Sequence, residues 1–182
     1  MIWPMSTARD VLPDFSRPLE VLRATHARIR RQCDALGDLI PSLKKRGCDN
    51  DARASMAQVI RELDAVSHCH EEDEEQDLLP RMMAAATRGR GSSLTRMVTD
   101  ITTEHRLMQR AWTNLRAELQ AIAAGDRSAL DPLAIDRFIK LYRTHILMEE
   151  ASVYPLAEML LSHEDLEAMG TQMAHRRSVR LK

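Results

Sequence analysis

One phrase occurs twice in this chain and restricts its fold more than any other feature. Residues 70–80 read HEEDEEQDLLP and residues 145–155 read HILMEEASVYP. Both are His, three residues, Glu-Glu, two residues, two bulky apolar residues, Pro. His70, Glu74 and Pro80 each stand 75 positions before His145, Glu149 and Pro155. A His and a Glu four apart share one helical face. The repeat therefore asks for two similar helical units whose His–Glu faces meet.

Residues around the repeat support that arrangement. Turn signals at 46–51 (RGCDND), 88–93 (RGRGSS) and 125–132 (GDRSALDP) cut the chain into segments 17–45, 52–86, 94–124 and 131–161. Each segment has an apolar stripe at helical spacing. Leu19, Leu22, Ile29 and Cys33 surround His26 at −7, −4, +3 and +7; Val98, Ile101, Met108 and Trp112 surround His105 at the same offsets. Aromatic residues make up 3% of the chain and helix formers dominate. The expected fold is all-α, an antiparallel up-down-up-down four-helix bundle over residues 17–162. An irregular lead-in (1–16) and a short C-terminal helix or basic tail (163–182) complete it. Pro18 marks the first helix start. Pro41, Pro80 and Pro155 should each kink or stop a helix.

Net charge is −1, which gives no reason to expect nucleic acid or an anionic membrane as partner. No apolar run is long enough for a signal peptide or a membrane span. Cys33, Cys48 and Cys69 are odd in number and irregularly spaced, which fits a reducing compartment. A cytoplasmic address follows by default. Oligomeric state and any protein partner are not written in the sequence.

The histidines carry the chemistry. Any one His on an apolar stripe is ordinarily a hydrogen-bonded core residue. Four of them, one per helix (His26, His70, His105, His145), with Glu74 and Glu149 in register, are hard to explain as packing. Two Glu buried without cationic neighbours cost several kcal/mol each, given about 2–7 kcal/mol for even an unsatisfied neutral group. No Lys or Arg lies on those stripes, and bound cations would compensate them. Four imidazoles and two carboxylates can hold two octahedral ions if each Glu bridges. Imidazole with carboxylate and open positions suits iron, with manganese as second choice. Zinc prefers closed four-ligand sites. Neither the Glu-x-x-His pair of ferritin-type proteins nor HExxH is present.

These residues resemble the hemerythrin-like, or HHE cation-binding, family. The resemblance spans about residues 18–175 and includes the Leu-Leu-Pro and Val-Tyr-Pro runs and the MAHRR near the end. It implies an antiparallel four-helix bundle with a non-haem di-iron centre. The implied ligands are His26, His70, Glu74, His105, His145 and Glu149, with Glu74, Glu149 and an oxo or hydroxo group as bridges. Oxygen-carrying hemerythrins use a fifth imidazole and an aspartate. This chain has His-x3-Glu in both halves, as in the broader bacterial branch. The implied role is to bind or respond to O2, NO or redox state. Iron handling or repair of iron–sulfur centres, and a di-iron enzyme reducing peroxide, O2 or NO, are the alternatives.

The remaining polar residues are assigned lesser roles. Glu75 and Glu150 point about 100° from the ligands, which suits solvation or a supporting position. Glu71 and His68 are expected at the surface. Cys69 beside His70 would sense redox state only if exposed. Tyr154 lies five residues after Glu149, about 140° off the ligand face of an ideal helix. His163 and His175 are expected on the surface.

Overall fold

The computed structural model describes residues 14–86, 91–126 and 130–179, which are helical apart from short turns. The lead-in at 1–13 and the turn residues 87–90 and 127–129 lie outside the described residues. Four rods form the bundle. The first is α1 (Pro18–Arg46). The second is α2 (Asn50–Asp73), a π-turn (Glu74–Leu78) and α3 (Leu79–Ala85). The third is α4 (Gly91–Ala124). The fourth is α5 (Pro132–Met148), a second π-turn (Glu149–Val153) and α6 (Tyr154–Leu160). A further helix, α7 (His163–Arg176), follows. α1 packs on α2 and α5, and α4 packs on the same two, so the rods stand in a square.

The helix ends follow from local chemistry. Pro18 occupies the first turn of α1, where its missing N–H costs nothing. Asp49 accepts from the Ala52 N–H at 2.8 Å, and Asp131 accepts from Leu133 at 2.9 Å, capping α2 and α5. Ser162 and Asp165 form a reciprocal capping box at α7. Gly47 closes α1 with φ +68°, a conformation L side chains avoid.

Of the two outcomes expected at the prolines, a kink or a stop, the stop occurs at none of the three. α1 runs through Pro41 to Arg46. Pro41 is exposed near the helix end, and Leu39 and Leu43 on either side pack into the core, which offsets one lost bond. Pro80 and Pro155 do not stop their rods either. Each follows a π-turn in which a backbone N–H reaches back five residues: Leu79 to Glu74 O and Tyr154 to Glu149 O. A proline ring crowds the carbonyl four residues before it. Widening the preceding turn relieves that clash and lets the helix continue.

Two apolar clusters fill the bundle. Ile29, Leu36, Met56, Leu63, Leu119 and Phe138 belong to one. Leu22, Leu78, Met82, Ile101, Val153 and Met173 belong to the other. The four core histidines fall between them along the rods, because each apolar stripe continues on both sides of its His. α7 is part of this packing: Met169 and Met173 are fully buried, and it contacts α1, α2 and the first π-turn. A Cβ on Gly170 would sit 1.9 Å from the Phe15 carbonyl oxygen, so only glycine permits that approach. No helix among the described residues is long and apolar enough to cross a membrane.

Candidate metal centre

Each rod presents one imidazole to the bundle axis, and the second and fourth rods add one carboxylate each. His26, His70, Glu74, His105, His145 and Glu149 are all 2% exposed or less, so water compensates none of them. The Nε2 atoms of His26 and His70 are 3.0 Å apart, and those of His105 and His145 are 3.1 Å apart. Glu149 lies between the pairs, with Oε2 3.1 Å from His26 and Oε1 3.0 Å from His145 and 3.7 Å from His105. Glu74 Oε2 is 3.6 Å from His70 and 3.3 Å from His105. Donor atoms of His26, His70, Glu74 and Glu149 fall within 4.8 Å of one another, as do those of Glu74, His105, His145 and Glu149. The two quartets share both carboxylates.

The donor set fits metal ions better than it fits itself. Glu74 Oε2 and both oxygens of Glu149 are buried without a well-aligned hydrogen bond. Among the described residues no Lys or Arg pairs with either carboxylate. Orphaned buried carboxylate oxygens are costly, and facing four inward imidazole nitrogens they form a cation-binding cage. The hemerythrin HHE cation-binding domain model matches residues 17–157. The chain belongs to the hemerythrin HHE family. It is also similar to an uncharacterized protein of Haemophilus influenzae (strain KW20 / Rd). The two are 29% identical over 169 residues, which cover 91% of this chain and 93% of that one.

The electrostatics of this HHE centre are those of charges confined together. Burial pushes His70 down to about 4, against the pull of Glu74. Burial would depress His105 as well, but the negative carboxylates of Glu149 and Glu74 close by outweigh it and hold this imidazole up at about 11. His145 is raised in the same way by Glu149 and Glu104. Burial would raise Glu149, yet His105, His145 and His26 together hold its carboxyl well below the usual range. A metal ion would replace the protons that these nitrogens and oxygens now contest.

An outer layer of side chains orients the imidazoles of the HHE centre. Glu150 Oε1 is 3.0 Å from His26 Nδ1, and Glu75 Oε1 is 2.8 Å from His105 Nδ1. Of the two roles anticipated for these glutamates, solvation or support, both hold: each backs an imidazole and stays partly exposed. Glu104 Oε2 lies 2.7 Å from His145 Nδ1, a partner the sequence reading did not single out. No local signal marks it: it precedes His105 on α4 but reaches the histidine of the adjoining fourth rod. Arg30, also not singled out, holds Glu150 with bonds of 3.0 and 2.7 Å.

Two expectations are corrected here. Glu71 is buried rather than at the surface, and its Oε2 accepts from Gln109 at 2.5 Å. Tyr154 points into the centre. Its hydroxyl donates to Glu74 Oε1 at 2.7 Å and lies 3.1 Å from His26 Nε2. The ideal-helix angle failed because the π-turn inserts a residue into the turn between Glu149 and Tyr154, rotating Tyr154 toward the ligand face. Proline immediately after Tyr154 was the available signal. His68 and His163 are exposed as expected, with side chains 72% and 85% accessible, and so is His175. The three cysteines are free thiols. Burial raises Cys69, so it is not poised as a thiolate. A surface groove of about 520 Å³, lined by Met97, Asp100, Glu104, Met148 and Ser152 among others, approaches the His145 side.

Proposed function

We propose that this HHE-family chain holds two non-haem iron ions and uses them to bind or respond to O2, NO or redox state. The observation that carries this reading is the pair of buried donor quartets sharing Glu74 and Glu149. His26 and His70 would complete one position, and His105 and His145 the other. Six donors cannot saturate two octahedral ions even with both carboxylates bridging, which leaves room for a small exogenous ligand. Imidazole and carboxylate without thiolate favour iron, then manganese. Bound iron would supply redox change and a binding position for a diatomic molecule. The chain itself supplies the setting. The apolar clusters on either side exclude bulk water, the outer carboxylates hold the imidazoles with Nε2 inward, and the Tyr154 hydroxyl holds a proton against Glu74 Oε1. The groove at Glu104 brings solvent within one side chain of His145.

Iron handling is the second reading. The observation in its favour is the uneven support of the two positions: His70 Nδ1 has no hydrogen-bond partner.

The deciding experiment is metal analysis of the purified full chain, with optical spectra under O2, peroxide and NO. About two irons per chain and a stable O2 or NO adduct are expected. Ready loss of iron to a chelator would favour iron handling, and rapid peroxide turnover an enzyme. Zinc alone, or no metal, would overturn the reading.

A further inference from the structure

We propose that the two metal positions are unequal: the one at His105 and His145 fills first and tightly, and the one at His26 and His70 fills last and exchanges readily. This rests on the reading of the six residues as ligands. The two halves of the bundle supply the same donors, but the side chains that hold the outer imidazole nitrogens differ, and those differences point the same way.

A carboxylate hydrogen-bonded to the outer nitrogen of a ligating imidazole raises the basicity of the inner one and fixes its orientation. Both imidazoles of the second position have such a partner. Glu75 sits 2.8 Å from His105 Nδ1 and Glu104 sits 2.7 Å from His145 Nδ1. Among the described residues neither glutamate has an Arg or Lys partner. The first position is weaker on each count. His70 Nδ1 is buried with no partner at all. His26 has Glu150, but Arg30 takes both oxygens of that carboxylate and drains the charge the imidazole would otherwise feel.

Sequence substitutions between the halves account for this. His26 and His105 are 79 residues apart. On that offset, Thr25 stands where the other half has Glu104. Its hydroxyl donates to the Val21 carbonyl at 3.0 Å and is committed to its own helix. Arg30 stands where the other half has Gln109, which donates to Glu71 instead. On the 75-residue offset of the repeat, Tyr154 stands where the other half has Leu79. Its proton occupies a lone pair of Glu74 Oε1 beside His26, in competition with an ion at the first position.

The first ion partly neutralises the shared glutamates, so the second binds more weakly whichever position fills first. The identity of the first position filled, not the number of steps, is therefore decisive. The test is titration of the metal-free full chain with Co(II), followed by its visible spectrum, for the wild type, His70→Ala, His145→Ala and Glu104→Gln. The wild type should take up two ions. H70A should keep one ion at close to the wild-type first-step affinity. H145A should keep one ion at least about tenfold more weakly, and E104Q should weaken the first step about 10–100-fold. Equal retention in H70A and H145A, the reverse order, or an unchanged first step in E104Q would overturn the proposal. Failure of the wild type to bind Co(II) would instead overturn the metal reading itself. Circular dichroism checks folding, and H70Q and H145Q replace any alanine variant that does not fold.

Discussion

The two halves of this bundle have the same inner residues and different outer ones. α1 with the second rod, and α4 with the fourth, each bring His, His and Glu to the axis, the Glu opening a π-turn that a proline follows. Their surroundings have diverged. In the first half, Asp73 and Asp77 flank the Glu74 end of the π-turn and are clamped by Arg176 and Arg177 from the end of α7. In the second half the matching residues are Met148 and Ser152, and they line an open groove instead. The lesson is a division of labour. The inner layer keeps two-fold similarity around the two shared carboxylates. The outer layer is free to make one side closed and the other approachable.

The largest expected effect compares the two carboxylates. Glu149 lies within 3.7 Å of three histidines, and Glu74 within 3.6 Å of two, with Tyr154 on its other oxygen. Glu149→Ala should therefore strip both ions, a greater loss than the about 10–100-fold cost of removing an outer partner. Glu74→Ala should leave a residual ion near His145. Metal content per chain after gel filtration measures both. Equal losses would show that the halves depend equally on their glutamates.

Next in size is the clamp. Asp73 is fully buried and Arg177 is 5% exposed, joined at 2.6 Å. Removing one partner of such a pair leaves an uncompensated buried charge and costs about 3–5 kcal/mol. Arg177→Ala should lower unfolding stability by less than that in a denaturant titration, because Arg176 still holds Asp73 at 2.6 Å. Ser152→Ala, opposite in the repeat and beside the groove, should stay within about 0.5 kcal/mol. A small effect at Arg177 would mean that α7 covers the first half without fastening it.

The inner layer was legible from sequence because it is periodic. His26 and His105 share their apolar offsets, and the His-x3-Glu phrase repeats at a fixed interval, so helix geometry alone placed six side chains on one axis. The outer layer was legible only where it followed the ligands directly, as at Glu75 and Glu150. Glu104 reaches a histidine 41 residues away, and Arg177 reaches an aspartate 104 residues away. Such pairings depend on which rods adjoin and on where α7 lies, and no local period encodes them. Tyr154 was misplaced for a different reason. Its angle was taken from an α-helix, while Pro155 imposes a wider turn just before it.

A smaller effect is expected at that tyrosine. Tyr154→Phe removes the donor to a buried carboxylate oxygen. Leaving such an acceptor unsatisfied costs about 1–3 kcal/mol, so the metal-free protein should lose stability in that range by thermal or chemical unfolding. Leu79→Met, at the matching position of the other half, conserves volume and should cost less than about 1.5 kcal/mol. The sharper outcome is in the metal-loaded protein. If an ion takes Glu74 Oε1, the cost of Tyr154→Phe should shrink there, whereas the Leu79→Met cost should not depend on loading.

The smallest effect compares Cys33 with Trp112, which occupy the same offset from His26 and His105. Trp112 donates from its indole to Asp64 at 2.9 Å and carries no titratable group. Cys33 is 1% exposed, and burial pushes its thiol from 9.0 up to about 12. Between those values the unfolded chain releases a proton that the folded chain retains. The folded state binds more protons there, so its stability must fall as pH rises. The contribution is intact below pH 9 and is lost progressively toward pH 12. Its slope is bounded by about 1.4 kcal/mol per pH unit. Denaturant titrations at pH 8 and pH 10 should show this loss in the wild type and less of it in Cys33→Ala, which lacks the thiol. At pH 8 the native thiol should resist alkylation, and labelling should require opening of the core beside His26. Because bound metal favours the folded state, it should slow that labelling further. Fast labelling of Cys33 in the loaded protein would show that the first half opens without releasing its ion.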